Sequence, residues 1–579
     1  MNQFPYINKI TTIVIALIIS VAMQAQNKIT LLHTNDLHSS VLERKINTTG
    51  TGTVGGFARI ATLIKEEKKQ TDHPVLVVDA GDFLMGTLFQ TLEIESGFQL
   101  HLMEQMGYDA VSIGNHEFDF GVGPFTDYVR LASNRGCPPL LLSNIDHAQA
   151  PISALYNDSI IREYHVIEKE GIKIGLFGLL GDIAYEYTPN LHPFEQKNRV
   201  KTAKKMVNIL REQEMVDVVI CLSHSGVYKD KKGEWLVSED VEIAEKVEGI
   251  DAIISGHTHT LLKEPLVVNN TPIVQVSAQG QYLGKLTLYL DAPGKTAYEL
   301  IPVTHSINPD PFIKTQVDTQ YTILKTNLEV NAGIQYDKSY FENPFALTYM
   351  DDLPDETSIG KFIADAMYFA VNHYDSAGTD AALIAQGMIR KGLEPGIQQL
   401  PSVFQVASLG EGNDQLPGYP LARLYFTGKE MKKVLELLHV VSAKDPGYYC
   451  FASGIEINYK AKGGFLNKIE EIMIYDEEGM TESIDFSKKN RKLYSVTADS
   501  YMMQFLTVLK KKSFGLVNVK PKMANGQRVT GFSETLIDFD PNKAGIQEGK
   551  VWRSMLQYAQ TFEDTDQNGI PEVPIKYKR

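Results

Sequence analysis

The stretch "YDAVSIGNHEFDFG", residues 108–121, decides how the first half of the chain is read. Its apolar run, ending at Ile113, has the length and composition of a buried strand, and directly after it an Asn, a His and two acids crowd into five positions. The same order, apolar strand and then abrupt polar loop, recurs in "KITLLHTNDLHSS", "HPVLVVDAGDF", "VDVVICLSHSG" and "IDAIISGHTHT". Amphipathic segments such as "GFARIATLIKEEKK" and "VKTAKKMVNILREQEM" separate several of these runs, which predicts layered α/β architecture with largely buried strands. The polar loops then share the carboxyl edge of the strands, where open α/β sheets place their ligands.

Those five loops carry Asp36 and His38, Asp82, Asn115 and His116, His224, and His257 with His259. Taken singly, an Asp or His after a strand is more often a cap or turn residue. Taken together they are not: the chain has 14 histidines, and five of them fall in these short loops beside Asp and Asn. Strand ends of one sheet converge, so the set predicts a cluster of imidazole and carboxylate groups. Hydrolysis at phosphorus by two metal ions roughly 3.5–4 Å apart needs such a cluster. A carboxylate is shared by the ions, neutral imidazoles and an Asn carbonyl complete the shells, and a water held there loses a proton to become the nucleophile.

At 579 residues the chain predicts two domains or more. Residues 1–25, with Lys9 ahead of a short apolar run and small residues after it, read as a secretory signal peptide cleaved after Ala22 or Ala25. No cysteine is near enough to take a lipid anchor, so the expected location is periplasmic or secreted. No later stretch reads as a membrane span. Cys137, Cys221 and Cys450 are too few and too scattered for a disulfide framework and read as small apolar residues. A formal charge of -15 argues against gripping a nucleic-acid polymer through its phosphates. A small phosphorylated ligand stays compatible if metal ions supply positive charge. No feature sets an oligomeric state.

The motifs "DLH", "GD", "GNHE", "SH" and "GHTH", in this order and each after a strand, resemble the calcineurin-like metallophosphoesterases, specifically the secreted 5'-nucleotidase and UDP-sugar hydrolase branch. The resemblance implies an N-terminal four-layer αββα sandwich and a second, α+β C-terminal nucleotidase domain. It implies one divalent metal on Asp36, His38, Asp82 and His259, and a second on Asp82, Asn115, His224 and His257, with Asp82 as the bridge; zinc, manganese, magnesium, cobalt or iron would each suit. It also implies a dyad of His116 and Asp119 beside the phosphate. Independently of the resemblance, an imidazole near two cations needs an anionic partner to stay protonated, and Asp119 is placed to be one. A protonated His116 could donate to the leaving oxygen. Glu117 reads as structural.

"TGTGTVGGFAR", residues 49–59, lacks the Gly-Lys-Ser/Thr ending of a P-loop and reads as a turn and helix start. "PIVQVSAQGQYLGKLTLYLD", residues 272–291, reads as paired strands closing the sheet layers. Residues 26–304 are thus the expected catalytic domain and 305–335 a linker with a polar helix. Residues 336–555 form the second domain, with a helix in "TSIGKFIADAMYFAVNHY" and strands in "DAALIAQ" and "RKLYSVTADSY"; 556–579 form an acidic tail.

The second domain, including "GYPLARLYFTGKEMKKVLELL", resembles the family's nucleoside-binding domain, which implies Arg390, Asn413 and Tyr501 as substrate-binding residues. The carry-over is patchy. "AQGMIR" keeps Arg390 but has Ala385 where the family has Asn. "SLGEGND", residues 408–414, offers Leu409 where a stacking Phe is usual, the Gly-Gly-Asp-Gly that normally follows Tyr501 is missing, and Asp355 stands near the place of a usual Arg. In the tail, Asp564, Asp566, Asn568 and Gly569 occupy the first, third, fifth and sixth positions of an EF-hand-like calcium loop, but Ile575 takes the twelfth, so a solvated turn is expected ahead of calcium binding.

Three functions are consistent with these residues. The leading one is hydrolysis of nucleotide phosphate esters outside the cytoplasm to nucleoside and phosphate. The second keeps the metals and changes the substrate to a nucleotide sugar, a 2',3'-cyclic nucleotide or, more remotely, a sulfur-linked ester. The third is a metal-stabilised binding protein without catalysis, which the intact ligand set with His116 and Asp119 argues against.

Overall fold

A computed structural model describes residues 28–578 except 46–51, 230–232, 234, 236–237, 293, 351–352, 415, 465, 476–478, 480, 504–518 and 544. The expected signal peptide and the start of the glycine-rich stretch lie outside the described residues. No helix among them is long and apolar enough to cross a membrane. The chain divides into two compact units that change over between Tyr321 and Thr322, inside the helix Pro311–Ala332; residues 86–91 group with the second unit.

The first unit is built on two sheets. Five of their strands lead into the polar loops: β1 (Lys28–Thr34), β2 (Val75–Asp79), β3 (Ala110–Ser112), β4 (Val218–His224) and β5 (Ala252–Ser255). The seven-stranded sheet runs Thr296–Pro302, Tyr282–Tyr289, β1, β2, β3, Leu140–Leu141, Ile161–Arg162. The six-stranded sheet runs Leu266–Val268, Thr271–Val274, β5, β4, Ile172–Leu180, Tyr164–Lys169. Within each set the five strands are parallel to their labelled neighbours, so their polar loops leave from the same edge.

Alternation decides which residues fill the space between the sheets. Ile29 and Leu31, Leu76 and Val78, Val218, Ile220 and Leu222, and Ala252 and Ile254 form one core with residues from both sheets. The opposite face of the second sheet packs Val219, Cys221 and Ile253 against Ala203, Met206, Val241 and Ile243 of two helices. On the first sheet's side the helix Phe57–Gln70 buries Phe57, Ile60, Leu63 and Ile64 and leaves its lysines to solvent. The expected αββα order follows from strands buried on both faces.

One expectation needs correcting. Residues 272–291 are not a pair: Thr271–Val274 joins the second sheet beside β5, and Tyr282–Tyr289 joins the first beside β1. Alternation along a strand reports a half-buried face and says nothing about which sheet supplies the partner.

His33, on β1, has no solvent exposure, and its Nδ1 has no hydrogen-bond partner. Burial pushes its pKa down to about 3. The folded state therefore holds His33 neutral while the unfolded chain takes up a proton below its ordinary value, so this contribution to stability is complete above pH 6.5 and is lost as pH falls toward 3. At pH 5 the loss is about 2 kcal/mol. His33→Leu should narrow the difference in Tm between pH 7.5 and pH 5 relative to the parent; an unchanged difference would refute this.

In the second unit a four-stranded sheet, in the order Leu421–Thr427, Leu493–Asp499, Ala381–Ala385, Cys450–Ser453, packs its core with the helix Gly428–Ser442 and a three-stranded sheet. Thr427 and Glu430 form a reciprocal capping box that starts this helix. The three thiols are unpaired; Cys221 is buried, while Cys137 and Cys450 are half-buried. Part of the acidic tail is packed. The helix Val551–Ala559 runs past residue 555, Val573 and Tyr577 are buried, and the Tyr577 hydroxyl donates to Asp365 Oδ2 at 2.8 Å, because the apolar residues in this segment outweigh its acids.

Candidate metal and phosphate site

The loops after β1 to β5 bring the sequence-predicted residues of the first unit together. Asp36, His38 and His259 form one group whose candidate ligand atoms all lie within 4.8 Å of one another, and Asp82, His224 and His257 form a second. Asn115 joins the second: its Oδ1 is 3.2 Å from His224 Nε2 and 3.0 Å from His257 Nδ1. Asp82 Oδ2 is 3.0 Å from His224 Nε2. His38 Nε2 and His259 Nε2 face each other at 2.8 Å, with Asp36 Oδ1 3.6 Å from the latter.

The donor set fits divalent cations, and the tautomers say why. His224 Nδ1 lies 2.8 Å from the Ala80 carbonyl and His38 Nδ1 2.9 Å from that of Met85. A carbonyl only accepts, so both Nδ1 atoms carry the proton and a neutral ring presents a lone pair at Nε2. His224 Nε2 then faces a carboxylate oxygen and an amide oxygen, which are also acceptors. Acceptors converging in a buried place call for positive charge.

The electrostatics show the same demand for positive charge, here met by a proton on His224. Burial pushes the Asp36 carboxyl up to about 7, with Asp82 adding to the rise and His224 opposing it. Burial also works to raise Asp82, but His224, His116 and His38 together hold it well below the ordinary carboxylate range. Burial would lower His224, yet Asp82 and Asp36 carry it up to about 10. Asp82 thus interacts with members of both groups, as a shared carboxylate must.

Holding the loops this way strains them. Asp36, His38, Asp82, His257 and His259 all have positive φ, between 49° and 75°. Non-glycine residues seldom adopt this region, and such strain clusters at functional sites. Neighbouring contacts maintain it. Asn35 Nδ2 donates to Asp36 Oδ2 at 2.7 Å, and the His257 backbone N–H donates to Asp36 Oδ1 at 3.0 Å. Glu117 has no solvent exposure and accepts backbone N–H groups from Gly114, Asp82 and Leu84 at 2.7, 3.1 and 3.0 Å. Burial, with Asp82 nearby, pushes its carboxyl up to about 8.

Gly114 sits where no side chain fits. A Cβ there would lie 2.2 Å from Asp82 Oδ1 and 2.7 Å from the Asp82 nitrogen. Gly114→Ala should therefore lower stability by about 1–3 kcal/mol, the usual range for overpacking, and lower metal content by displacing Asp82. An unchanged Tm with full metal content would refute the close packing.

His116 is set apart from the two groups. Its Nδ1 is 2.6 Å from Asp119 Oδ2, both side chains are nearly buried, and its ring centroid lies 5.4 Å from that of His38. Its backbone N–H donates to Asp82 Oδ1 at 2.9 Å. Two residues not anticipated from sequence adjoin this edge. Asn190 Nδ2 donates to the carbonyls of Phe118 and Asp119 at 3.2 and 3.0 Å, and Tyr187, 44% exposed, has its ring 6.4 Å from His257. No motif marks either one.

Arg390, Asn413 and Tyr501 belong to the second unit. Arg390 and Asn413 are exposed, and the Asn413 backbone N–H donates to Glu548 Oε1 at 2.9 Å. Tyr501 stacks on Tyr419, with ring centroids 5.2 Å apart and planes 27° apart. The Tyr419 N–H in turn donates to the Leu409 carbonyl at 2.9 Å. The calcium-like loop is an exposed turn in which Asp564 and Asp566 accept the Asn568 N–H at 3.1 and 3.0 Å. Among the described residues, both candidate metal-holding groups are in the first unit.

Residues 29–261 match the calcineurin-like phosphoesterase family, and the class of the first unit is thereby settled. Residues 344–507 match the 5'-nucleotidase C-terminal domain, so the chain carries a calcineurin-like phosphoesterase segment followed by a 5'-nucleotidase C-terminal segment. It is 28% identical over 484 residues to the trifunctional nucleotide phosphoesterase protein YfkN of Bacillus subtilis, a match covering 78% of this chain and 30% of that one. It is 31% identical over 319 residues to the snake venom 5'-nucleotidase of Gloydius brevicauda, covering 50% of each. The matches thus span half or less of these relatives' length. The crystal structure of a 5'-nucleotidase precursor from Thermus thermophilus superposes with a TM-score of 0.69 at 23% identity, covering 92% of this chain and 96% of that one, which shows a common fold.

Proposed function

We propose that this protein hydrolyses phosphate esters of nucleotides outside the cytoplasm, releasing nucleoside and phosphate, with two divalent cations as cofactors. The observation that carries the reading is the convergence of Asp36, His38 and His259 with Asp82, Asn115, His224 and His257 at one sheet edge, with the His116–Asp119 pair beside them. Asp36, His38, Asp82 and His259 would hold one cation, and Asp82, Asn115, His224 and His257 the other. When bound, the cations supply Lewis acidity toward the phosphoryl oxygens and an activated water. The Ala80 and Met85 carbonyls keep His224 and His38 in the tautomers that ligation needs. Asp119 holds the proton on His116 Nδ1, and His116 supplies a donor to the phosphoryl group or the leaving oxygen.

Arg390, Asn413 and Tyr501 are the candidate contacts for the leaving group. One observation favours a second reading, a nucleotide sugar or 2',3'-cyclic nucleotide as substrate: Tyr419 and Tyr501 stack on each other, and Leu409 stands where the family has a second stacking ring. The names of the relatives, nucleotide phosphoesterase and 5'-nucleotidase, support the leading reading. The test is hydrolysis by the mature chain of nucleoside monophosphates, diphosphates, cyclic nucleotides and nucleotide sugars, with products separated by chromatography, with and without chelator. Chelator-sensitive conversion of monophosphates to nucleoside and phosphate is expected; opening of cyclic nucleotides to monophosphates, or cleavage of nucleotide sugars to a monophosphate and a sugar phosphate, with monophosphates left intact would transfer the assignment to the second reading.

A further inference from the structure

Behind the metal-facing edge, on the other side of the second sheet, is a buried carboxylate that none of the site motifs includes. Asp240, in the first turn of the helix Glu239–Lys246, has no solvent exposure. Its Oδ1 accepts the Ser223 hydroxyl at 2.5 Å, and its Oδ2 accepts the Ser255 hydroxyl at 2.6 Å and the Gly226 N–H at 3.1 Å. Ser223 and Ser255 are register partners in the parallel β4–β5 pair, and both are fully buried.

Side chains alternate across a strand, so a residue and its successor point to opposite faces. Ser223 immediately precedes His224, and Ser255 precedes Gly256 and His257. One carboxylate therefore ties together, from behind, the last register of the two strands whose next residues enter the site, while its third bond fixes the loop leaving His224. His257 is held in left-handed backbone at φ 75°, a conformation the surroundings must impose.

We infer that Asp240 is a positioning residue for the second cation site, setting the separation of His224 and His257 through Ser223 and Ser255. The inference rests on the proposed ligand set and concerns only His224, at the end of β4, and His257, in the loop after β5. Groups that orient ligands from one layer out typically change metal affinity roughly 10–100-fold when replaced.

The test uses the full mature chain, stripped with chelator and titrated with Co(II), following metal per chain, resistance to competing chelator and the visible Co(II) absorption. Asp240→Ala should lose affinity at one of the two sites by roughly 10–100-fold with an altered spectrum, while the other site keeps parental affinity. Asp240→Asn, which retains one acceptor oxygen, should fall between parent and Ala. Ile243→Ala, a buried apolar change on the same helix, should lower Tm yet bind both ions as the parent does. Parental affinity at both sites in Asp240→Asn and Asp240→Ala would overturn the inference, as would equal metal loss in Ile243→Ala. Should Asp240→Ala not fold, Asp240→Asn decides alone. A parent chain that binds no Co(II) would instead overturn the ligand assignment on which the inference rests.

Discussion

Asp82→Ala is expected to lower phosphate release from a nucleoside monophosphate by about 10³-fold or more and to reduce metal content below two per chain. Asp82 has electrostatic partners in both clusters: His224 acts on it from its own group and His38 from the Asp36 group, with His116 adding to them. Lewis-acid stabilisation of phosphoryl transfer is worth several kcal/mol, and each 1.36 kcal/mol is about tenfold in rate. Metal analysis run beside the assay gives the result its meaning. Normal metal content with lost activity would show that Asp82 does not hold the ions, and normal activity would remove it from the site altogether.

His116→Ala should behave differently. Turnover should fall roughly 10²–10⁴-fold, the range for losing a positioned acid or base, with metal content staying near two per chain. The geometry separates the two outcomes: His116 is engaged with Asp119 at 2.6 Å through Nδ1, and its ring lies beside the His38 group without belonging to either candidate cluster. Asp119→Asn should lower turnover in the same direction by weakening the same bond. Loss of one metal in His116→Ala would move this histidine among the ligands.

Much of this geometry is legible in the chain itself. Buried parallel strands must be apolar over their whole length, so the jump to Asp, Asn and His at each strand end marks the edge where the sheet stops and chemistry can begin. That is why Asp36, Asp82, Asn115, His224, His257 and His259 group together from sequence alone across more than 220 positions. What holds those residues in place is less legible. A left-handed Asp or His looks like any other in sequence, since only glycine advertises freedom at positive φ. Asp240 sits in an ordinary amphipathic helix, and nothing in "SEDVEIAEK" tells a buried acid from a solvated one.

The second unit is harder for a related reason. The resemblance implies Arg390, Asn413 and Tyr501, but the stack of Tyr501 on Tyr419 joins residues 82 positions apart in sequence and belongs to no motif. Likewise the acids of the tail suggest a solvated segment, while Val573 and Tyr577, two large side chains among them, decide that it packs. Composition reports the average character of a segment, and a few buried residues are enough to anchor it.

In the proposed function, ester hydrolysis requires two divalent cations held by the two clusters. The most direct measurement is metal stoichiometry by mass spectrometry and phosphate release, made on the same sample before chelation, after complete chelation and after readdition of a single divalent metal. Two ions per chain, loss of activity on stripping and recovery on readdition are expected. Undiminished phosphate release from metal-free protein would contradict the account.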